Sequence, residues 1–385
     1  MQAAETAAVL AALTETGATA RFVGGCVRDA VVGRDVYDID IAVDRTPDDN
    51  LAALAAADIH TIPTGLRHGT VIAVVASRHF EITSLRVDVE TYGRHAKVAF
   101  TDDWAGDAQR RDFTMNALFA DPDGALYDPV GGLADLQAGN VRFVGAPAQR
   151  IAEDYLRVLR FFRFHAWYGR TEPDAAALAA CAGAADRLGT LSGERIRSEM
   201  LRLLMADAPL ESLRLMQESG VLSRVLPDGT DIGALARLIA EDAAPDPLRR
   251  LAALMQGGAD AVSRLARHWH LSNAQRDRLM AMRAPALDIA AAGDAGRLRA
   301  AVYRLGTATA VDLALLAGRP NLADSAKGIE VPAFPLAGRD VLALAVEPGP
   351  RVGALLRDVE AWWLERDCAP GRGALLAELA RRVKT

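Results

Sequence analysis

Cysteine is scarce in this chain of 385 residues. Cys26, Cys181 and Cys368 lie far apart and form no C-x-x-C pair. That spacing excludes a disulfide framework and fits a reducing, cytoplasmic compartment. Zinc-type Cys/His spacing is also missing. None of the seven histidines adjoins an aspartate, which argues against a metal-dependent phosphohydrolase appendage. No apolar run approaches the length that crosses a bilayer, so no membrane association is expected. The alanine-rich N-terminus carries Glu5 and Glu15 and no basic region, unlike a signal peptide. Internal repeats and low-complexity tracts are absent, and no protein partner is legible. An excess of positive charge is lacking too. The 44 Lys and Arg face 50 Asp and Glu, for a net charge of −6, so any nucleic acid must be met by local basic patches.

What the chain does have is length, aliphatic content and one dense motif. At 385 residues it exceeds a single ordinary core, so two to four subdomains are expected. Hydrophobic residues make up 51% and aromatics 5%, with much alanine, which suits a helix-rich protein. Residues 20–44 read ARFVGGCVRDAVVGRDVYDIDIAVD. An apolar run ends at Gly24 and Gly25, and a short helical pattern follows that carries Arg28 and Asp29. Asp38 and Asp40 then alternate with apolar residues, so a strand would point both carboxylates to one side. Like charges held that close call for a cation between them, and hard oxygen pairs suit Mg²⁺ shared with a phosphate. The Gly-Gly corner offers backbone N–H groups and close access to an anion. Phosphate cradle and metal pair in one segment suggest metal-dependent chemistry on a nucleotide. Asp44 reads as a strand-end or capping residue.

Helix is expected over 3–16 and, from the Thr46-Pro47 start, over 47–57. Strand-like runs occupy 20–24, 37–43, 70–76, 79–85 and 97–101. Residues 86–97 are polar and mixed in charge and read as a mobile loop. From about 141 onward helical periodicity dominates, broken by Gly and Pro. The fold class is therefore α+β, a small mixed α/β head followed by an all-α remainder. Boundaries are placed at 1–140 for the head, 141–225 for a helical neck and 226–385 for a helical body and tail.

Gly-Gly-x-Val-Arg-Asp followed by Asp-x-Asp resembles the class II tRNA nucleotidyltransferases and their poly(A) polymerase relatives. Further segments fit in the same order: RRDFTMNAL at 110–118, LYDPVGGLADL at 126–136, RIAEDYLRVLRFFRF at 150–164 and ERIRSE at 194–199. No comparable motif occurs in the C-terminal half. The resemblance implies a nucleotidyltransferase head on a helical neck, body and tail. It implies CCA addition to the tRNA 3′ end from CTP and ATP, with Asp38 and Asp40 holding Mg²⁺. Gly24, Gly25, Arg28, Arg110 and Arg111 would cradle the triphosphate, with Asp112 and Asn116 beside them and Asp29 orienting Arg28. Without that match, Arg110 and Arg111 read as a surface pair before a helix capped by Asp112 or Thr114. With it, two guanidiniums at a helix start make a phosphate clamp. Glu81 is either a third catalytic carboxylate or an outward strand glutamate, and His68 either approaches the nucleotide or is structural. In the resembling family a loop at 86–97 helps switch from C to A addition.

Asp154 and Arg157 stand three apart on an expected helix. A carboxylate accepts from an exocyclic amine and a guanidinium donates to a ring acceptor. Cytosine and adenine share that edge, whereas uracil and guanine reverse it. Spacing alone favours an intrahelical salt bridge, and it is the resemblance that assigns base reading to the pair. Tyr155 stands where many members have Pro or Ala. Glu153 is expected to buttress Arg157 or a helix start. Arg142, Arg150, Arg157, Arg160, Arg163 and Arg170 outnumber the acids across 142–170. Of these Arg160 and Arg163 are assigned to the nucleotide. The interleaved Phe161, Phe162, Phe164, Trp167 and Tyr168 are expected in the core. Glu194, Arg195 and Glu199 are expected to tie helices together. Arg264, Arg267, His268, His270, Arg276 and Arg278, with Arg381, Arg382 and Lys384, are candidate tRNA-backbone contacts or solvated helix faces. The alternatives to CCA addition are a bacterial poly(A) polymerase, a partial CC- or A-adding enzyme, and a non-catalytic tRNA-binding protein on the same fold. GLRHGTV at 65–71 looks more like the CCA-adding branch.

Overall fold

A computed structural model of the chain describes all residues except 2, 63–64, 67–68, 93–94, 286–297, 332 and 385. For 88–92 and 95–98 the backbone alone is described. His68, and with it part of the GLRHGTV segment, lies outside the described residues. The chain divides into two units, Met1–Pro227 and Asp228–Thr385.

The first unit opens with helix α1 (Ala4–Thr14), strand β1 (Ala20–Val23), helix α2 (Gly25–Val31), strand β2 (Ile39–Val43) and helix α3 (Pro47–Ala56). Strands β3 (His60–Ile62), β4 (Thr70–Val75) and β5 (Arg78–Ser84) follow, and β8 (Phe119–Ala120) and β9 (Leu126–Tyr127) complete one sheet after the intervening β6 (Arg86–Tyr92) and β7 (His95–Phe100). The sheet order is β3-β4-β5-β2-β1-β8-β9. Among the described strands only β2 and β5 pair in parallel, with Asp40 opposite Glu81 in register. The parallel step is allowed because α3 and the β3–β4 pair supply the crossover. Thr46 and Asp49 cap α3 reciprocally and Pro47 occupies its first turn, as the sequence pattern predicts. Ile41, Val43, Leu54 and Ile82 are fully buried around β2. Each such side chain contributes about 1.5–3 kcal/mol of burial, which fixes β2 and so the carboxylate it carries.

The described residues of 86–97 form strands rather than a loop. β6 and β7 form an antiparallel hairpin, from Arg86 opposite Phe100 to Tyr92 opposite His95, with one irregularity between Asp88 and Glu90. The reason is in the pattern R-V-D-V-E-T-Y, where apolar or β-branched residues alternate with polar ones at the strand period. The helix expected after Arg110-Arg111 is also absent. Only a 3₁₀ turn forms, over Thr114–Asn116, and neither Asp112 nor Thr114 is its N-cap. The backbone here finds long-range partners instead. Thr114 N–H donates to Arg142 O, Val144 N–H to Asp112 O, and Phe113 bridges to Phe143.

Helices α4 (Trp104–Gln109) and α5 (Gly132–Ala138) flank that turn. Asp128 accepts the N–H groups of Gly132 and Leu133 at 2.8 and 2.9 Å, which closes the start of α5. The helix expected to carry both Asp154 and Arg157 is broken in two, α6 (Pro147–Glu153) and α7 (Leu156–Tyr168). Asp154 sits between them with φ −155°, and its carboxylate accepts the Leu156 N–H at 3.1 Å. An aspartate at such a restart satisfies a donor that would otherwise be orphaned. Helices α8 (Ala175–Gly183), α9 (Gly193–Leu204), α10 (Pro209–Glu218) and α11 (Val221–Val225) complete the unit. Phe161, Phe162 and Phe164 are buried in its core, and Phe113 packs in tilted contact with Phe143 and Phe164 at ring distances of 4.7 and 5.0 Å. Trp167 and Tyr168 are half-buried.

The second unit's named elements are all helices. One core gathers Leu298, Val302 and Leu313, another Val359, Trp363 and Leu379. A buried ionic network ties Arg249 to Asp242 and Asp312, at 2.8 and 2.9 Å. The mixed head followed by helices matches the α+β reading. No described helix is long and apolar enough to cross a membrane, and all three cysteines are free thiols.

Candidate active site

β1 ends at Val23 and is followed by Gly24, whose φ of +69° is a conformation that residues other than glycine rarely adopt. The chain turns there and α2 begins at once, so the corner faces the 110–116 segment. A methyl added at Gly24 would lie 3.5 Å from Arg111 Nη1 and from Asn116 O. Beside the corner, Asp40 projects from β2 and Asp38 stands one residue before the strand, exposed. Glu81 is exposed on the neighbouring strand, level with Asp40. Burial pushes the Asp40 carboxyl up to about 6, the charges of Glu81 and Asp38 push the same way, and Arg111 and Arg28 only partly offset them. Such a site holds negative charge that lacks enough local compensation, which a divalent cation would supply. The donor set therefore fits a metal ion at Asp38 and Asp40. Among the described residues no three His, Cys, Asp or Glu side chains converge as a ready metal cage, so Glu81 is a neighbour of the pair rather than a preformed third ligand.

A cleft of about 560 Å³ opens against this corner. Eight arginines line it (28, 110, 111, 157, 160, 163, 195 and 202), against three acids, Asp40, Asp112 and Asp154. Arg28 is held from both sides. Its Nε and Nη2 donate to Asp29 at 3.0 and 2.9 Å, and Nη1 donates to Asn116 at 2.6 Å. Asn116 in turn donates to Asp112 at 3.0 Å, and Arg160 donates to Asp112 at 2.6 Å. The network continues through Glu199, which Arg163 and Arg160 both pair with. Charge and hydrogen bonds from Arg160, Asn116 and the Phe113 N–H outweigh burial and hold the Asp112 carboxyl below its ordinary value. Asp112 thus acts as a strut between the turn and α7. Arg110 and Arg111 both pair with Asp107, at 2.8 and 2.9 Å.

The Asp154 and Arg157 side chains take other partners, and the bond between the two residues is the Arg157 N–H donating to Asp154 O at 3.0 Å. Arg195 donates to Asp154 at 2.6 Å. Arg157 donates to Glu153 at 2.5 Å and to Arg150 O at 2.9 Å. The break between α6 and α7 separates the two residues that the spacing puts on one helix face, yet both still line the cleft. Glu153 buttresses Arg157, and Arg195 and Glu199 tie α9 to the α6–α7 region.

All eleven residues assigned to the nucleotide from the sequence line this one cleft, Gly24, Gly25, Arg28, Arg110, Arg111, Asp112, Asn116, Asp154, Arg157, Arg160 and Arg163, and Asp40 joins them. Asp38 and Glu81 do not line it. Leu156, Phe164, Arg195 and Arg202 line it without having been assigned there. Arg202 lies on α9, three residues past the end of ERIRSE, where nothing in the motif marks it as facing the cleft. Arg195 sits inside ERIRSE, where its tie to Asp154 hides its access to the cleft. In the second unit, Arg264 pairs with Asp228, Arg276 with Asp277, Arg278 with Asp246 and Asp312, and Arg381 and Arg382 with Glu378.

A mixed sheet carrying a glycine corner and neighbouring carboxylates beside an arginine-lined cleft is the arrangement of a nucleotidyltransferase. Residues 20–142 match the Poly A polymerase head domain, and residues 172–232 match the family described as probable RNA and SrmB-binding site of polymerase A. The chain is 33% identical over 377 residues to the mitochondrial CCA tRNA nucleotidyltransferase 1 of Danio rerio, covering 94% of this chain and 87% of that one. It is 31% identical over 375 residues to the CCA-adding enzyme of Levilactobacillus brevis, covering 91% of each. The crystal structure of the Bacillus stearothermophilus CCA-adding enzyme in complex with CTP superposes with a TM-score of 0.80 at 26% identity, covering 99% of this chain and 97% of that chain. The chain belongs to the family of CCA-adding tRNA nucleotidyltransferases and their poly(A) polymerase relatives. Nucleotidyltransferases of this family generally use divalent metal ions.

Proposed function

We propose that this protein adds C, C and A without a template to the 3′ end of tRNA, using CTP and ATP and releasing pyrophosphate. The observation that carries the proposal is the cleft itself, where the Gly24–Gly25 corner, Asp40, eight arginines and Asp154 meet in one space, in a chain related over most of its length to CCA-adding enzymes. The tRNA 3′-oxygen attacks the α-phosphorus of the incoming nucleotide, the bond to the bridging oxygen breaks, and pyrophosphate departs. Asp38 and Asp40 hold the divalent ion, assigned as Mg²⁺ on its preference for hard oxygen and phosphate. When bound, that ion supplies Lewis acidity to the reacting oxygens. Glu81, beside Asp40, takes the hydroxyl proton. The Gly24–Gly25 corner admits the triphosphate to backbone N–H groups, and Arg28, Arg110 and Arg111 neutralise it. Arg160 and Arg163 extend the positive wall and stay fixed through Asp112 and Glu199. Asp154 accepts the exocyclic amine of cytosine or adenine, and Arg157 donates to the adjacent ring acceptor.

The catalytic head is assigned to 1–140, the base-selecting neck to 141–225 and tRNA contact to the helical remainder. The Danio rerio relative is mitochondrial by name; a cytoplasmic place for this chain rests on its unpaired thiols. One assay tests the function. A tRNA lacking its 3′ CCA is incubated with CTP, with ATP, and with both. Addition of CC with CTP alone and of CCA with both is expected. Open-ended tailing with ATP would identify a poly(A) polymerase, and no metal-dependent incorporation would identify a binding protein.

A further inference from the structure

Asp107, in the short helix before Arg110-Arg111, belongs to none of the residues assigned above, yet it is the most buried carboxylate touching the cleft wall. Its side chain is 1% exposed, whereas those of Arg110 and Arg111 are 17% and 18% exposed. Its two oxygens are divided between the two guanidiniums. Oδ1 accepts Arg110 Nε at 2.9 Å and Nη2 at 2.8 Å. Oδ2 accepts Arg111 Nε at 3.1 Å and Nη2 at 2.9 Å. Oδ1 also accepts the Arg86 N–H at 3.3 Å, which pins the carboxylate to the root of the β6–β7 hairpin. The effect is geometric. Both arginines are gripped along the same edge, and the other edge of Arg111 is turned to the Gly24 corner, where a methyl would meet Nη1. Adjacent guanidiniums repel, and without a shared buried counter-ion each would take its own rotamer toward water.

We propose that Asp107 is a positioning residue for the triphosphate, holding Arg110 and Arg111 as one preformed clamp facing the Gly24–Gly25 corner. The proposal rests on the reading of those two arginines as phosphate ligands. It opposes simple charge counting: removing a carboxylate from a cleft that takes a polyanion should tighten binding if charge alone mattered, and should weaken it if geometry matters more. An Asp107→Asn amide keeps the shape but offers N–H to one guanidinium that needs an acceptor.

Titration of CTP into the full-length chain, with thermal midpoints as a folding control, tests this in a double-mutant cycle. Asp107→Asn should raise the CTP dissociation constant about tenfold, which is about 1.4 kcal/mol. Arg110→Ala with Arg111→Ala should weaken CTP by more. Adding Asp107→Asn to that pair should change affinity less than twofold, because the residue acts through the arginines. Unchanged or tighter CTP binding by Asp107→Asn, or the same tenfold loss in the background without the arginines, overturns the proposal. If the arginine variants themselves bind CTP like the unmodified chain, the clamp reading fails instead. Should Asp107→Asn not fold, Arg110→Lys with Arg111→Lys keeps both charges and loses the two-pronged grip. A roughly tenfold loss of CTP affinity there supports the positioning role, and wild-type affinity refutes it.

Discussion

Replacing Gly132 by alanine separates local propensity from tertiary fit. Gly132 is the first residue of α5. At an open helical position, exchanging Gly for Ala stabilises a protein by about 0.5–1 kcal/mol, because alanine has less chain entropy to lose. At Gly132 the added methyl would sit 2.0 Å from Thr114 O, 2.6 Å from Thr114 C and 3.1 Å from Met115 N. All three atoms are backbone, so no side chain can swing aside. Either α5 or the 114–116 turn must move by more than an ångström. Overpacking of this kind costs about 1–3 kcal/mol or more, which outweighs the propensity gain. With about 2–4 °C of midpoint per kcal/mol for a unit of this size, Gly132→Ala should lower the midpoint of the first unit by several degrees. The same shift reaches the cleft, because the displaced turn carries Asn116, which holds Arg28 at 2.6 Å. CTP affinity should fall with stability. Gly183→Ala is the control: Gly183 closes α8, and a methyl there meets nothing within 4 Å, so the midpoint should stay level or rise. The assay is thermal unfolding of both variants with CTP titration at a temperature where each is folded. A midpoint for Gly132→Ala at or above that of the unmodified protein would refute the argument.

The Asp40 carboxyl is raised to about 6, so protons compete with the cation below that pH, and metal-dependent incorporation should fall roughly tenfold per pH unit as pH drops beneath about 6; a flat profile from pH 7 to 5 at fixed metal would contradict it. Asp154→Ala should weaken discrimination of C and A against U and G, while Arg157→Ala should impair use of both CTP and ATP. Competition assays with all four nucleotides decide this, and a uniform rate loss with unchanged selectivity would reduce the pair to helix anchors. Affinity for tRNA should fall steeply with salt although the net charge is −6, since contacts from clustered arginines release counterions; equal affinities at low and physiological salt would exclude such contacts.

Local pattern was enough for features whose cause is local. The Thr46-Pro47 start predicts α3 because capping involves neighbours in sequence. The alternation around Ile39, Ile41 and Val43 predicts β2 because the strand period is a property of the chain itself. Gly24 and Gly25 announce a corner because no other residue type turns there freely. The ordered motifs pointed to residues that share one cleft, though nothing in their spacing shows that Arg28 and Asn116, 88 residues apart, would meet.

Tertiary structure decided the rest where a distant partner outcompeted a local preference. The segment after Arg111 has a helical pattern, but its N–H and C=O groups pair with residues 142–144 and leave only a 3₁₀ turn. The helix expected through Asp154 breaks there, and that carboxylate is held by Arg195, 41 residues away. Residues 86–92 are polar enough to read as a loop, but their alternation at the strand period is what the β6–β7 pairing uses. Asp107 had no motif to mark it. Its importance lies in being buried under two arginines and tied to Arg86, and burial is a property of the folded chain that no window of sequence contains.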